Sequence, residues 1–245
     1  MKSPNSVPAV PSGLKSPPFF VTGVPMRAML HVSTNYLYDC AMSGRAKNVP
    51  AVLFECAEGQ QGYFTAKQAA NSGYQPGSQA HHVKSGNWVR VERGIYRLAR
   101  FPQSNEEQLV IYHLWSRNRA GTPEGVYSHQ TALSIHELSD VYPAKLHLTV
   151  PTRFRRNAKT PKILVLHRAD LEEKDIEERH GFSVTRPIRA IADLAAAESV
   201  SHDIIEQVLA EGRQRGLITA RDISELREQG QIPQWLDELL RKNLR

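Results

Sequence analysis

Acid is almost missing from one long stretch of this chain. Between Gln61 and Phe101 stand Lys67, Lys84, Arg90, Arg93, Arg97 and Arg100, against Glu92 alone. Those six cations and one acid hold five of the chain's six net positive charges, so the excess is local and points to an anionic partner. Cysteine is nearly absent too. Cys40 and Cys56 are too few for a disulfide framework or a cysteine-based zinc site, and they suggest a reduced, cytoplasmic protein. No run approaches the roughly 18 apolar residues of a membrane span. The N-terminus carries a lysine, but Pro4, Pro8, Pro11, Pro17 and Pro18 interrupt it before an apolar core can form, so no signal peptide is expected. There is no glycine-rich phosphate loop, nucleophile elbow or cysteine–histidine pair. A non-enzymatic protein without cofactor or metal is the expectation.

At 245 residues the chain can hold one large domain or two small ones. Residues 1–45 are rich in proline and serine without sustained periodicity and read as a disordered extension. Met26, Met29 and Met42 leave open a start further downstream than residue 1. From Asn48 the pattern sharpens. Val49, Val52, Leu53 and Cys56 mark one helical stripe, ended by Gly59 and Gly62. Thr65 and Gln68 form a capping box opening a short helix that Gly73 stops. A third helix is expected in "YQPGSQAHHVKSG", with Pro76 in its first turn, Ala80 and Val83 inward, and Gly86 at its end. Three short helices in about forty residues, two joined by a glycine turn, have helix-turn-helix spacing.

A hairpin follows. With Arg93-Gly94 as a two-residue turn, Val91 would face Tyr96 and Val89 would face Leu98, which places Arg90 and Arg97 together on the opposite side. Three helices and a basic hairpin predict a winged helix-turn-helix over residues 46–101. Residues 102–245 read as a second, α+β region. It opens with a helix capped by Ser104 and Glu107, continues with a helix in "SHQTALSIHEL" and strands in "AKLHLTV", "KILVLHR" and "FSVTR", and ends in four helices, one capped by Thr219 and Asp222.

Helix-turn-helix spacing, a basic hairpin and a local charge excess together suit nucleic acid. The third helix would enter a major groove, where Gln79, His82 and Lys84 or Ser85 can reach base edges. Ser78, near its N-terminus, suits a phosphate. Arg90, Arg93 and Arg97 would contact phosphates or a minor groove. A second basic stretch, "TVPTRFRRNAKTPK" (149–162), supplies Arg153, Arg155, Arg156 and Lys159 as auxiliary backbone contacts. The ten histidines form no recognisable metal motif. His81 and His82 are adjacent and diverge, His129 and His136 lack an accompanying carboxylate, and His147 and His167 read as surface or boundary residues. Glu172-x-Lys174, with Asp140 upstream, is the one trace of a metal-dependent nuclease, and a solvated charged face explains it better.

Five segments in order, "GYFTAKQAANSGY", "WVRVERGIYRLARFP", "GVYSHQTALSIHEL", "LHLTVP" and "VTRPIRAIADLAA", resemble the AbiEi-type antitoxins of type IV toxin–antitoxin and phage abortive-infection systems, over about residues 48–228. The resemblance implies a winged helix that binds repeats in its own promoter and represses it. It also implies a C-terminal region that counters a nucleotidyltransferase-type toxin without a stable complex. On that reading the helix from Ser78 to Ser85 and the hairpin arginines are the operator surface of a monomer or weak dimer. A winged-helix-guided nuclease, or a module that binds RNA or protein without catalysis, are the alternatives.

Overall fold

Leu53 and Ala57 turn fully inward from helix α1 (Val49–Glu58), with Val49, Val52 and Cys56 half-buried beside them. That is the stripe expected of an amphipathic helix. The computed structural model describes residues 48–139, 143–230 and 232–244; the proline-rich extension and Asp140 lie outside them. After α1 the chain reverses through Gln61 and Gly62, both at positive φ. A side chain at Gly62 would meet the Phe101 ring at 2.4 Å, so only glycine fits there. Strand β1 (Tyr63–Thr65) comes next, a strand the sequence pattern does not reveal. Helix α2 (Ala66–Asn71) then starts at a complete capping box between Thr65 and Gln68.

Helix α3 (Gln79–Lys84) is shorter than expected. Pro76 lies in the turn ahead of it rather than in its first turn, and Ala80 is exposed while Val83 packs inward. The chain then forms β2 (Trp88–Glu92) and β3 (Ile95–Leu98). Strands β1, β3 and β2 make an antiparallel sheet in that spatial order, which with three helices is a winged helix.

The wing turn is Arg93-Gly94, as expected, and of the two only Gly94 adopts a positive φ. The register is different. A bulge between Arg90 and Glu92 sets Val89 opposite Arg97 and Arg90 opposite Tyr96. One extra residue in a strand carries the following side chains to the other face. Arg90 and Arg97 therefore lie on opposite faces. Phe64, Trp88 and Tyr96 fill a core under the helices, with the Phe64 and Trp88 rings 4.9 Å apart edge to face. Tyr63 and Ile95, on the other face, join the larger core of the following region.

That region begins with α4 (Glu107–Trp115). The expected Ser104–Glu107 capping box is not formed: Ser104 Oγ accepts the N–H of Glu106 at 3.1 Å. The Glu107 carboxylate instead accepts the Tyr63 hydroxyl at 2.9 Å, a tertiary contact that outcompetes the local one. Next come β4 (Val126–Tyr127), α5 (His129–Ile135), β5 (Leu146–Val150) and β6 (Leu164–Arg168). A single 3-10 turn (Glu173–Asp175) leads to β7 (Ile176–Arg179) and β8 (Phe182–Thr185). The five strands run β6-β5-β4-β8-β7, with β5–β6 and β4–β8 parallel. A parallel β5–β6 pair cannot be joined by a hairpin, so the basic stretch between them is a crossover. Helices α6 (Pro187–Ala196), α7 (His202–Gln214), α8 (Ala220–Glu228) and α9 (Gln234–Lys242) complete the α+β fold. The Thr219–Asp222 capping box of α8 forms as expected.

Candidate nucleic-acid interface

Helix α3 is fastened to the wing by aromatic packing. The His82 ring stacks on Trp88 at 4.4 Å and meets Tyr74 edge to face at 5.0 Å. The Ser85 hydroxyl donates to the His82 carbonyl and accepts from the Asn87 amide, which closes the helix toward β2. His82 is thus a packing residue, only half-exposed. Lys84 and Ser85 are exposed, as is His81, which is not among the expected base contacts. Gln79 and Ser78 are half-buried, and the Ser78 hydroxyl oxygen is buried without a hydrogen-bond partner among the described residues. No acid occurs between Glu58 and Glu92, so this exposed face carries no competing negative charge.

The three hairpin arginines part company. Arg90 and Arg93 are exposed, on the edge strand and at the wing turn. Arg97 is only 9% exposed, and its Nη1 donates to the carbonyls of Phe101 (2.7 Å) and Leu98 (3.4 Å). It ties the end of the wing to the linker. Beside it, burial and the hydrogen bond to Glu107 push the Tyr63 hydroxyl up to about 12.

The crossover loop reaches back toward the wing turn. Phe154 is buried beneath it, and Arg168 Nη1 donates to the carbonyls of Thr152 and Phe154. Thr152 donates its N–H and hydroxyl to Asp170. On this frame Arg153, Arg155 and Lys159 are exposed, while Arg156 lies over the Trp115 ring at 4.7 Å and donates to the Arg117 carbonyl. Arg117, unremarked in the sequence, donates to Leu114 and to the wing-turn carbonyls of Arg93 and Gly94. Burial, and next the neighbouring Arg156, push its guanidinium down to about 10. Two adjoining hollows of about 790 and 710 Å³ separate the wing turn from the loop and share Arg93, Arg117 and Arg156.

The alternative chemistry finds less support in the geometry. Glu172 pairs with Lys174 at 2.9 Å on the surface and shares a capping box with Asp175. No group of three or more His, Cys, Asp or Glu among the described residues is arranged to hold a metal ion. His129, His147 and His167, distant in sequence, do meet. The rings of His129 and His167 stack at 3.7 Å, and His147 Nδ1 lies 3.0 Å from His167 Nε2. Burial, then His167 and His147, push His129 down to about 3, and burial lowers the other two, so the cluster favours neutral rings. His136 is not part of it; its Nε2 bonds the Thr185 carbonyl at 2.9 Å.

A three-helix unit with an antiparallel wing, an acid-free helix face and exposed wing arginines makes a winged-helix module of the nucleic-acid-binding type. Residues 52–99, about a fifth of the chain, match the family model described as transcriptional regulator, AbiEi antitoxin. The resemblance read from the sequence is therefore found independently over this module. Among solved structures, the crystal structure of RV2827C protein from Mycobacterium tuberculosis is similar at 13% identity over 80% of each chain, with a TM-score of 0.43, too distant a likeness to transfer a role. No curated protein matches the sequence. Among the described residues no helix is long and apolar enough to cross a membrane.

Proposed function

We propose that this protein is a DNA-binding autorepressor and antitoxin of a type IV toxin–antitoxin system, acting in the cytoplasm without catalysis. Helix α3 enters the major groove of repeats in its own promoter. Gln79, Lys84, Ser85 and the exposed His81 are the side chains placed to meet bases or flanking phosphates. Arg90 and Arg93 hold the sugar–phosphate backbone, which sets register rather than sequence choice. The region from residue 102 to 245 counters a nucleotidyltransferase-type toxin without a stable complex. The observation that carries this reading is the acid-free face of α3 beside the exposed wing arginines, within a module that matches the antitoxin regulators.

The test is binding of the full chain to its own upstream duplex and to a scrambled duplex across a salt series. Selective binding that weakens steeply with salt, and drops at least tenfold in R90A/R93A, is expected. Equal weak binding to both duplexes would overturn the repressor reading.

A further inference from the structure

Phe54 stands outside the buried stripe of α1. It is 48% exposed, and among the described residues only it and Val89 are large hydrophobic side chains left at the surface. Pro50, one turn earlier, shares its side of the helix. Both open onto a hollow of about 710 Å³ where α1, the start of β2 and the end of the wing come together. The Phe101 ring, on its wall, lies 6.2 Å from that of Phe54. The remaining aromatic wall is Tyr74, His82 and Trp88, the cluster that seats α3, with Tyr74 and Trp88 edge to face at 4.9 Å.

The hollow has the makeup of a small-molecule site. Such sites measure roughly 300–1,000 Å³ and join a mostly apolar lining to a few polar groups that fix orientation. Here the lining is aromatic, and its one permanently charged side chain is Arg100. Among the described residues no acid lines the hollow, and the exposed Arg100 forms no ion pair. Asn87 spends its amide nitrogen on the Ser85 hydroxyl, so Arg100 is the group that offers an anion a strong bond. Aromatic faces and edges suit a flat apolar body, and an unpaired guanidinium suits a carboxylate in two parallel hydrogen bonds. A protein partner needs a far wider surface, about 800 Å² from each side, and the exposed neighbours Lys84, Ser85 and Asn87 are polar.

We propose that this hollow binds a small aromatic carboxylate, with its rings against Phe54, Phe101 and Trp88 and its carboxylate on Arg100, and that the bound ligand weakens the hold of α3 on DNA. The second half rests on the DNA-binding reading above and deepens it, whereas the first half stands without it. The sign of the effect has two causes. A ring seated against Tyr74 and Trp88 competes with His82 for the wall that fastens α3. The carboxylate also cancels one cation of the segment from Gln61 to Phe101, which lowers the attraction of this module for phosphates.

The experiment titrates the full-length chain with naphthoate, naphthalenemethanol and naphthylmethylamine, followed by calorimetry and by backbone amide chemical shifts. Naphthoate should bind saturably and shift the Asn87, Ala99 and Arg100 amides, with the alcohol and the amine weaker. R100Q should bring naphthoate down to the affinity of the alcohol. F54A should weaken acid and alcohol alike by about fivefold, and both variants, altered only at exposed side chains, should melt as the unaltered chain does. Saturating naphthoate should lower affinity for the upstream duplex about fivefold in the unaltered chain and leave it unchanged in R100Q. No saturable binding of naphthoate, shifts confined to other surfaces, or equal binding of acid, alcohol and amine would overturn the site. A dimer that F54A dissociates would give the hollow to a second copy of the chain and overturn it as well. Bound naphthoate that leaves duplex affinity unchanged would overturn the coupling to α3. If the unaltered chain shows no preference for its own duplex while naphthoate still binds at Arg100, the repressor reading falls and the ligand site stands.

Discussion

Arg90 and Arg97 are seven residues apart in one hairpin and have the same chemistry, yet the fold gives them different work. Arg97 is sequestered, with its guanidinium spent on the Phe101 and Leu98 carbonyls. Arg97→Ala should therefore destabilise the protein by about 2 kcal/mol, the scale of a lost charge-assisted hydrogen bond, while barely changing the salt slope of DNA binding. Arg90→Ala should do the reverse. Chemical denaturation of both variants beside a salt titration distinguishes them, and a flattened slope in Arg97→Ala with full stability would return Arg97 to the binding surface. The number of arginines is plain in the sequence. Which of them is free depends on the bulge beside Val91, and no spacing rule locates a bulge that hydrophobic alternation does not mark.

At the scale of elements, the six residues of α3 are too short to be stable alone and depend on what they pack against. His82 on Trp88 is the main fastening. His82→Ala should cost about 1 kcal/mol of stability and weaken binding to cognate and scrambled DNA alike, because the helix loses its seat. His81→Ala, on the exposed side, should leave stability untouched. Measuring melting temperature and the ratio of cognate to scrambled affinity checks this. If His82→Ala keeps full stability and loses only selectivity, His82 reads bases instead. The amphipathic helices and the Thr65 and Thr219 capping boxes were legible because their signals lie within one turn of chain. Strands β1, β4 and β7 were not. They are two to four residues long, and β7 reads Ile-Glu-Glu-Arg, so pairing rather than hydrophobic alternation defines them.

Over the whole molecule, the winged helix and the following region share contacts that a boundary at residue 101 would cut. Gln61 donates to Glu106 and to the His180 carbonyl, and His180 bonds the Glu58 carbonyl. Global stability should carry the signature of buried neutral histidines. His113 is enclosed, and burial pushes it down to about 4, although its Nδ1–H donates to the Gly125 carbonyl. Above about pH 6.5 the ring is neutral both folded and unfolded, so it contributes no pH dependence. As the pH falls below that value the unfolded chain takes up a proton that the folded chain refuses, and stability is lost until about pH 4. That interval corresponds to about 3 kcal/mol as an order of magnitude. His129, pushed down to about 3, acts in the same direction. Urea midpoints at pH 7.5 and 4.5 should therefore differ less in His113→Asn than in the unaltered protein. Equal differences would show that His113 is protonated in the folded state.

The sequence by itself determined the fold class, the helix-turn-helix spacing, the two-residue wing turn and the concentration of cations. Each is written in local periodicity, capping chemistry or charge, which act over a few residues. The tertiary structure alone decided which arginine is buried, that His82 packs, and that His129 meets His147 and His167. It alone brought Arg117 and the crossover loop to the wing turn. These depend on strand register and on contacts between segments remote in the chain, where packing of the two cores outweighs local preference.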